Sequence, residues 1–161
     1  VEILEHPNPT LKQTAGEVDP RDADLPELVA RLAKAMYDAP GLGLAATQVG
    51  VMKRVIVYDV DEELVALCNP RITAVSEETE VEEEGCLSVP GIAIPIERAS
   101  NVTCEAYELS GKPVKIDASG LHARLLQHEV DHLDGIIILD RATPEERKAA
   151  LQRYREVQSV R

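Results

Sequence analysis

The chain has 161 residues, 44% hydrophobic and 29% charged, with a formal net charge of −12 and a pI near 4.7. That length suits one domain over residues 1–161 with its own core, and so acidic a composition excludes a general binder of DNA or of anionic membranes, whose phosphates reward clustered Lys and Arg. Three cysteines without Cys-x-x-Cys spacing, no signal-peptide pattern and no run near the ~20 apolar residues of a membrane helix lead us to expect a cytoplasmic enzyme without disulfides.

In DLPELVARLAKAMYDAPG, Asp24 stands as N-cap, Pro26 in the first turn and Glu27 at the capping-box position. Leu25, Leu28, Leu32, Ala35 and Met36 form one stripe, and Pro40-Gly41 stops the helix. After GLGLAATQVG come two strands, VIVYDV and LVALC, joined by the acidic turn Asp61 to Glu63 and ending at Asn69-Pro70. Six of the eight residues from Glu77 to Glu84 are Glu, which reads as a solvated strand face or loop, with Glu84 set apart because it touches the next motif. In NVTCEAYEL, Val102, Cys104 and Ala106 alternate with polar residues; SGKP turns the chain and VKIDA returns, a hairpin. Ser119 caps a helix running to about Leu133, where Asp134-Gly135 ends it before a short strand IIILD. A last helix starts at Thr143-Pro144, with Glu146 closing a capping box, and runs to about Ser159. The order shows no regular βαβ alternation, so the expected class is α+β.

The stretch QHEVDH carries the chemistry. At 100° per residue, Leu121, Leu125, His128 and His132 fall within a sector about 60° wide, so both imidazoles continue an inward apolar stripe. Two adjacent inward histidines repel if protonated and need acceptors if neutral, and a shared divalent cation resolves both problems. Glu129 lies at the edge of that sector, where its carboxylate can act as base on water at the metal's open position without being a ligand. His6 and His122 lack comparable spacing. A hydrolytic centre wants a third protein ligand. The downstream carboxylates Glu145, Glu146 and Glu156 are candidates, as in a small zincin-type peptidase, and so is a thiolate. Cys68 and Cys104 sit in strand patterns that suit buried inert thiols. Cys86 stands in EGCLSVPG, beside a glycine and ahead of a turn, and is the favoured of the three.

Three motifs, GLGLAATQ (Gly41 to Gln48), EGCLS (Glu84 to Ser88) and QHEVDH (Gln127 to His132), stand in the order and approximate spacing found in peptide deformylases, and the chain resembles that family from about residue 3 to residue 155. The resemblance implies strands packed around a central metal-binding helix, with an N-terminal and a C-terminal helix. It also implies a hydrolase that removes the N-formyl group from formyl-methionine at the start of newly made proteins. On its motifs, Cys86, His128 and His132 correspond to the metal ligands, Glu129 to the catalytic glutamate, Gln48 to the amide that polarises the formyl oxygen, and Leu87 to the residue whose backbone N–H assists. Leu42, Gly43 and Gly85 correspond to walls holding an extended peptide, with Leu121 and Leu125 beside them. Cys and His donors by themselves suggest Zn²⁺. The resemblance implies Fe²⁺ as the native ion, with Zn²⁺, Ni²⁺ or Co²⁺ as substitutes.

Two features depart from the common pattern: the apolar GIAIPIE segment (residues 91–97), and Arg124, one turn before His128, where an apolar wall residue is often found. The competing readings are the zincin-type peptidase and an inactive deformylase-like binding module. From Thr143 to Arg161 five basic residues face three acidic ones. That excess suits a weak contact with ribosomal RNA, against the plainer reading of an amphipathic helix packed through Ala149, Leu151 and Val157.

Overall fold

The apolar stripe after Asp24 folds as expected: α1 spans Leu25–Asp38 in the computed structural model, which describes residues 2–160. Its buried side is Leu25, Leu28, Val29, Leu32, Ala33, Ala35 and Met36. Asp24 holds the N-cap position, but its side chain makes no capping bond; Asp22 Oδ1 instead accepts the Asp24 N–H at 2.9 Å. Seven strands follow: β1 Gly43–Ala45, β2 Val55–Tyr58, β3 Val65–Val75, β4 Thr79–Cys86, β5 Val89–Ala99, β6 Asn101–Tyr107 and β7 Pro113–Ser119. They form a five-stranded antiparallel sheet in the order β1-β2-β3-β6-β7 and a separate β4-β5 hairpin.

Strand alternation assigns the faces of the larger sheet. On β2, Val55 and Val57 join the core under α1, whereas Ile56 and Tyr58 join Leu125, Leu126 and Leu133 of α2, the helix Gly120–Leu133. The two helices therefore cover opposite faces. Asn69-Pro70 does not end a strand. β3 runs on to Val75, pairing with β2 as far as Cys68 and with β6 onward, and the irregularity is a register shift between Cys68 and Arg71. Asn69 takes a positive φ of 52°, and its amide bonds both the N–H and the C=O of Val18, at 2.9 and 2.8 Å. Proline cost the ladder one donor there and asparagine supplied the left-handed kink, so the break is local.

The acidic run is exposed on both faces of β4, with Glu84 alone among its glutamates buried. Its partner β5 covers the segment that sequence reading left without a structure. Ile92, Ile94, Ile96 and Arg98 alternate inward, and Pro95 is tolerated because β5 has a strand partner on one edge only. Gln127 clips the end of β5 to α2, accepting from Ala99 N–H at 3.2 Å and donating to Ala99 C=O at 3.0 Å. The C-terminus of α2 is held by Arg54, which donates to the C=O of Leu133 at 3.1 Å and to Asp134 at 2.9 Å. At Gly135, φ is 74° and a Cβ would meet the Lys12 C=O at 2.5 Å, so glycine is required where the helix stops.

The expected strand IIILD is instead a one-turn helix, α3, Ile138–Arg141, with Asp140 accepting the Ile137 N–H at 3.0 Å. Four apolar residues satisfy either period, and the cap decided. The last helix, α4, spans Pro144–Ser159, and Thr143 Oγ1 accepts the Glu146 N–H at 3.2 Å as its cap. Its packed side is Ala150 and Tyr154 with Leu151 and Val157 partly covered, while Ala149 is exposed, which corrects the expected contact by one residue. Arg161, one of the basic residues counted toward this helix, lies outside the described residues. Among the described residues no helix is long and apolar enough to cross a membrane.

Candidate active site

The donors come from two elements. α2 presents His128 and His132 one turn apart, and the tip of the β4-β5 hairpin, where Cys86 pairs with Val89 across Leu87-Ser88, presents the thiol. Cys86 Sγ lies 3.3 Å from His132 Nε2, which lies 3.2 Å from His128 Nε2. Among the described residues this trio is the group of His, Cys, Asp and Glu side chains whose ligand atoms converge, all within 4.8 Å of one another. None of Glu145, Glu146 and Glu156 belongs to it. Burial by itself pushes the Cys86 thiol up, but the imidazoles of His132 and His128 bring it well below the usual thiol range. Burial pushes Cys104 up to about 11 and also raises Cys68, so those two remain inert thiols of the core.

Glu84 and His128 explain each other. The carboxylate Oε1 is 2.9 Å from His128 Nδ1, so Nδ1 carries a proton and Nε2 turns its lone pair to the other donors. Burial alone would raise the Glu84 carboxyl, yet the Arg98 guanidinium and His128 hold it well below the usual carboxylate range. Arg98 grips Glu84 at 2.8 and 2.9 Å and reaches Asp131 of α2 at 2.6 Å; Asp131 also takes Arg141 at 2.8 Å. Sequence reading missed Arg98, Asp131 and Ser88. A signal existed for Arg98, an arginine in register with Ile92, Ile94 and Ile96 on an apolar strand face, which asks for a buried acid opposite.

Gln48 is fixed by three contacts. Its Oε1 accepts the Ala45 N–H at 3.0 Å, which turns Nε2 toward Ser88 Oγ at 3.0 Å and Cys86 Sγ at 3.8 Å. Glu129 is 2% exposed and its Oε1 has no partner; His132 Nδ1 is likewise buried and unpartnered. Burial raises the Glu129 carboxyl above its ordinary value, with the imidazole charges acting against it. The unmatched Glu129 Oε1 beside a thiolate and two imidazole Nε2 atoms suits a divalent transition ion and a polar substrate group.

The site opens on one cleft of about 610 Å³, bordered by Leu42, Gly43, Gln48, Gly85, Cys86, Leu87, Leu121, Leu125, His128 and Glu129. Every sequence-derived site residue is thus in or against one cavity, with His132 behind the wall at 1% exposure. Leu121 is the least inward of the helix stripe, 58% exposed at the cleft mouth, because it lies in the first turn of α2. His6 and His122 lie elsewhere, His122 against the Tyr58 hydroxyl at 3.1 Å.

An α+β scaffold that converges Cys, His and His beside a buried glutamate in an open cleft defines a metal-dependent hydrolase. The family model described as polypeptide deformylase matches residues 1–148. The chain is 44% identical over 151 residues to the peptide deformylase of Acidothermus cellulolyticus, covering 94% of this chain and 83% of that one. It is 41% identical over 160 residues to that of Thermodesulfovibrio yellowstonii, covering 96% of each. The crystal structure of a peptide deformylase from Legionella pneumophila superposes with a TM-score of 0.92 at 37% identity, covering 99% of this chain and 95% of that one. One from Synechococcus elongatus in complex with actinonin gives 0.91 at 35% identity, covering 96% and 85%. The chain belongs to the peptide deformylase family, metal-dependent hydrolases that remove N-formyl groups from newly made proteins.

Proposed function

We propose that the chain deformylates formyl-methionyl nascent peptides in the cytoplasm, with Cys86, His128 and His132 holding one Fe²⁺ on α2 and the hairpin tip. The observation that carries this reading is the convergence of three donor atoms within 4.8 Å beside Glu129, whose buried Oε1 has no partner. Fe²⁺ follows the family; Zn²⁺, Ni²⁺ and Co²⁺ suit the same donors. The ion, when bound, supplies a Lewis acid and makes water a nucleophile near neutral pH.

The remaining chemistry belongs to side chains and backbone. A formamide is a poor electrophile with a poor leaving group, so the formyl oxygen needs donors as charge develops on it. Gln48 Nε2 and the Leu87 N–H are the donors we assign. Glu129 takes the proton from the attacking water and delivers it to the departing amine, a task suited to a carboxyl that burial makes easier to protonate. β1 and β4 each have a strand partner on one side only, which supports binding of an extended peptide along Leu42, Gly43 and Gly85. Leu121 and Leu125 then border the methionine side chain. Main-chain recognition lets one cleft serve many N-termini.

α4 carries four basic and three acidic residues, and Lys148 and Arg155 are exposed, which supports a weak ribosomal RNA contact. Cosedimentation with ribosomes at low and moderate salt, parent against a Lys148→Glu, Arg155→Glu variant, tests that contact; equal binding removes it.

The central test is anaerobic purification with metal analysis, followed by assay on formyl-Met-Ala-Ser and on internally cleavable peptides. The formyl peptide is the expected substrate. Cys86→Ser is expected to lose most of the metal and Cys68→Ser and Cys104→Ser to keep it; full occupancy in the Cys86 variant would overturn the ligand assignment.

A further inference from the structure

The thiol ligand and the imidazole ligands sit on different elements, so something must hold hairpin and helix at a fixed separation. Arg124 spans that gap. It is 8% exposed, one turn before His128 on α2, and its guanidinium makes three contacts, all to the hairpin. Nη1 donates to Glu84 Oε2 at 2.6 Å and to the Ile96 C=O at 2.8 Å, and Nη2 donates to the Glu80 C=O at 2.8 Å. One side chain of the helix thus grips both strands of the hairpin that ends in Cys86.

The bonds on Glu84 divide by oxygen. Oε2 takes Arg124 and Arg98 Nε, while Oε1 takes Arg98 Nη2 and faces His128 Nδ1. Arg98 is shared, since its Nη1 is committed to Asp131 at 2.6 Å. Without Arg124, Oε2 keeps one partner and the carboxylate is held by Arg98 alone, so Oε1 is less firmly fixed against the imidazole. With it, Oε2 is pinned from two sides and Oε1 is left aimed at His128. Arg124 also lines the cleft, while its guanidinium is bonded to the hairpin.

We propose that Arg124 is a positioning residue for the metal centre. Through Glu84 it sets the orientation of His128, and through the backbone of β4 and β5 it sets the separation of Cys86 from the two histidines. Its role is separate from holding the methionine side chain. The proposal rests on Cys86, His128 and His132 being the ligands.

The test substitutes Co²⁺ into the parent, Arg124→Met and Arg124→Lys, and records the visible d–d absorption bands together with metal affinity by chelator competition. Arg124→Met replaces the stem and removes the guanidinium. It is expected to bind metal about tenfold more weakly, within the usual effect of partners that orient a ligand, and to shift the cobalt bands. It is also expected to lower kcat on formyl-Met-Ala-Ser with KM within about twofold. Arg124→Lys restores one charged bond to Glu84 and is expected to recover part of the affinity. Parent affinity and an unchanged cobalt spectrum in Arg124→Met overturn the proposal even if its melting temperature falls, because a merely structural role moves stability and leaves the coordination sphere alone. A raised KM with unchanged spectrum also overturns it, in favour of a specificity wall. Should Arg124→Met not fold, Arg124→Gln, which removes the charge and keeps donors, decides by the same spectrum and affinity. Cys86→Ser and His128→Ala run alongside: retention of metal in those variants faults the ligand assignment, whereas their loss of metal beside a parent-like Arg124→Met faults Arg124 alone.

Discussion

At Gly43 the absence of one carbon determines where the Glu129 carboxylate can stand. A Cβ on Gly43 would lie 2.6 Å from Glu129 Oε2 and 3.0 Å from Leu125 Cδ1, so any side chain there displaces the carboxylate. Glu129 is buried and the strand is short of room, so the displacement carries into the cleft. Gly43→Ala is therefore expected to lower kcat/KM on the order of a hundredfold, the scale of a 1 Å misplacement of a reacting group, while metal content stays at the parent level. Steady-state kinetics with metal analysis on the same sample checks this. Parent-like turnover would mean that Glu129 tolerates the shift and that its proton role needs no such placement.

Among the elements, α4 is bonded into the catalytic body. Val157 packs closely on Gly91, which has a φ of 79°: a Cβ there would be crowded, with Val157 Cγ1 3.1 Å away. Arg153 donates to the Ala93 C=O at 3.2 Å, and Tyr154, 2% exposed, donates to the His6 C=O at 2.9 Å. Gly91 and Ala93 line the cleft, and the His6 N–H is bonded to Ser88, the partner of Gln48. These contacts make α4 part of the fold, so truncation after Ala142 removes support from the cleft wall. The truncated chain is expected to lose on the order of 5 kcal/mol of stability, or about 10–20 °C in Tm, from the exposed Tyr, Leu, Val and Ala surface. KM for formyl peptides is expected to rise as the 90–93 wall loosens. A thermal melt and a peptide titration within error of the full chain would show that α4 is only an appendage.

Across the whole molecule, a buried ion cluster joins the hairpin to α2. Glu84, Arg98, Arg124 and Asp131 are each under 10% exposed, and Arg141 closes the chain at the surface. The Glu84 carboxyl lies well below its ordinary value near 4.5 in the folded protein, so it binds fewer protons folded than unfolded around that pH. Its stabilisation is therefore complete above about 4.5 and is lost as pH falls toward the folded value. Chemical unfolding from pH 7 down to pH 3 is expected to show stability declining below that point. Glu84→Gln is expected to be about 3–5 kcal/mol less stable at pH 7, because Arg124 loses its carboxylate partner and Arg98 keeps only Asp131, and to show a flatter decline. Parallel pH profiles for parent and variant would remove Glu84 as the acid-sensitive group.

What was legible in the sequence is what local periodicity controls. The stripe and stops of α1, the solvated acidic run of β4, the cap of α4 and the placing of two histidines on one face of α2 all follow from residues within a few positions of one another. The same local logic left IIILD undecided between strand and helix, misread Asn69-Pro70 as an end, and missed by one residue the packed face of α4. In each case the deciding contact was remote or was a single cap: Asp140 on Ile137, Val18 on Asn69, Tyr154 on His6. The third donor is of the same kind, since Cys86 and His132 are 46 residues apart and meet only when hairpin and helix pack. Spacing along the chain proposed Cys86, and family resemblance chose it, but no periodicity could assign Arg124 and Arg98 to Glu84 or Asp131 to Arg98. Sequence alone determined which residues are candidates for the chemistry, because donor type and helical phase are properties of the chain; only the tertiary structure decided how they converge, because the burial that makes ion pairs strong and carboxylates perturbed exists only after distant segments meet.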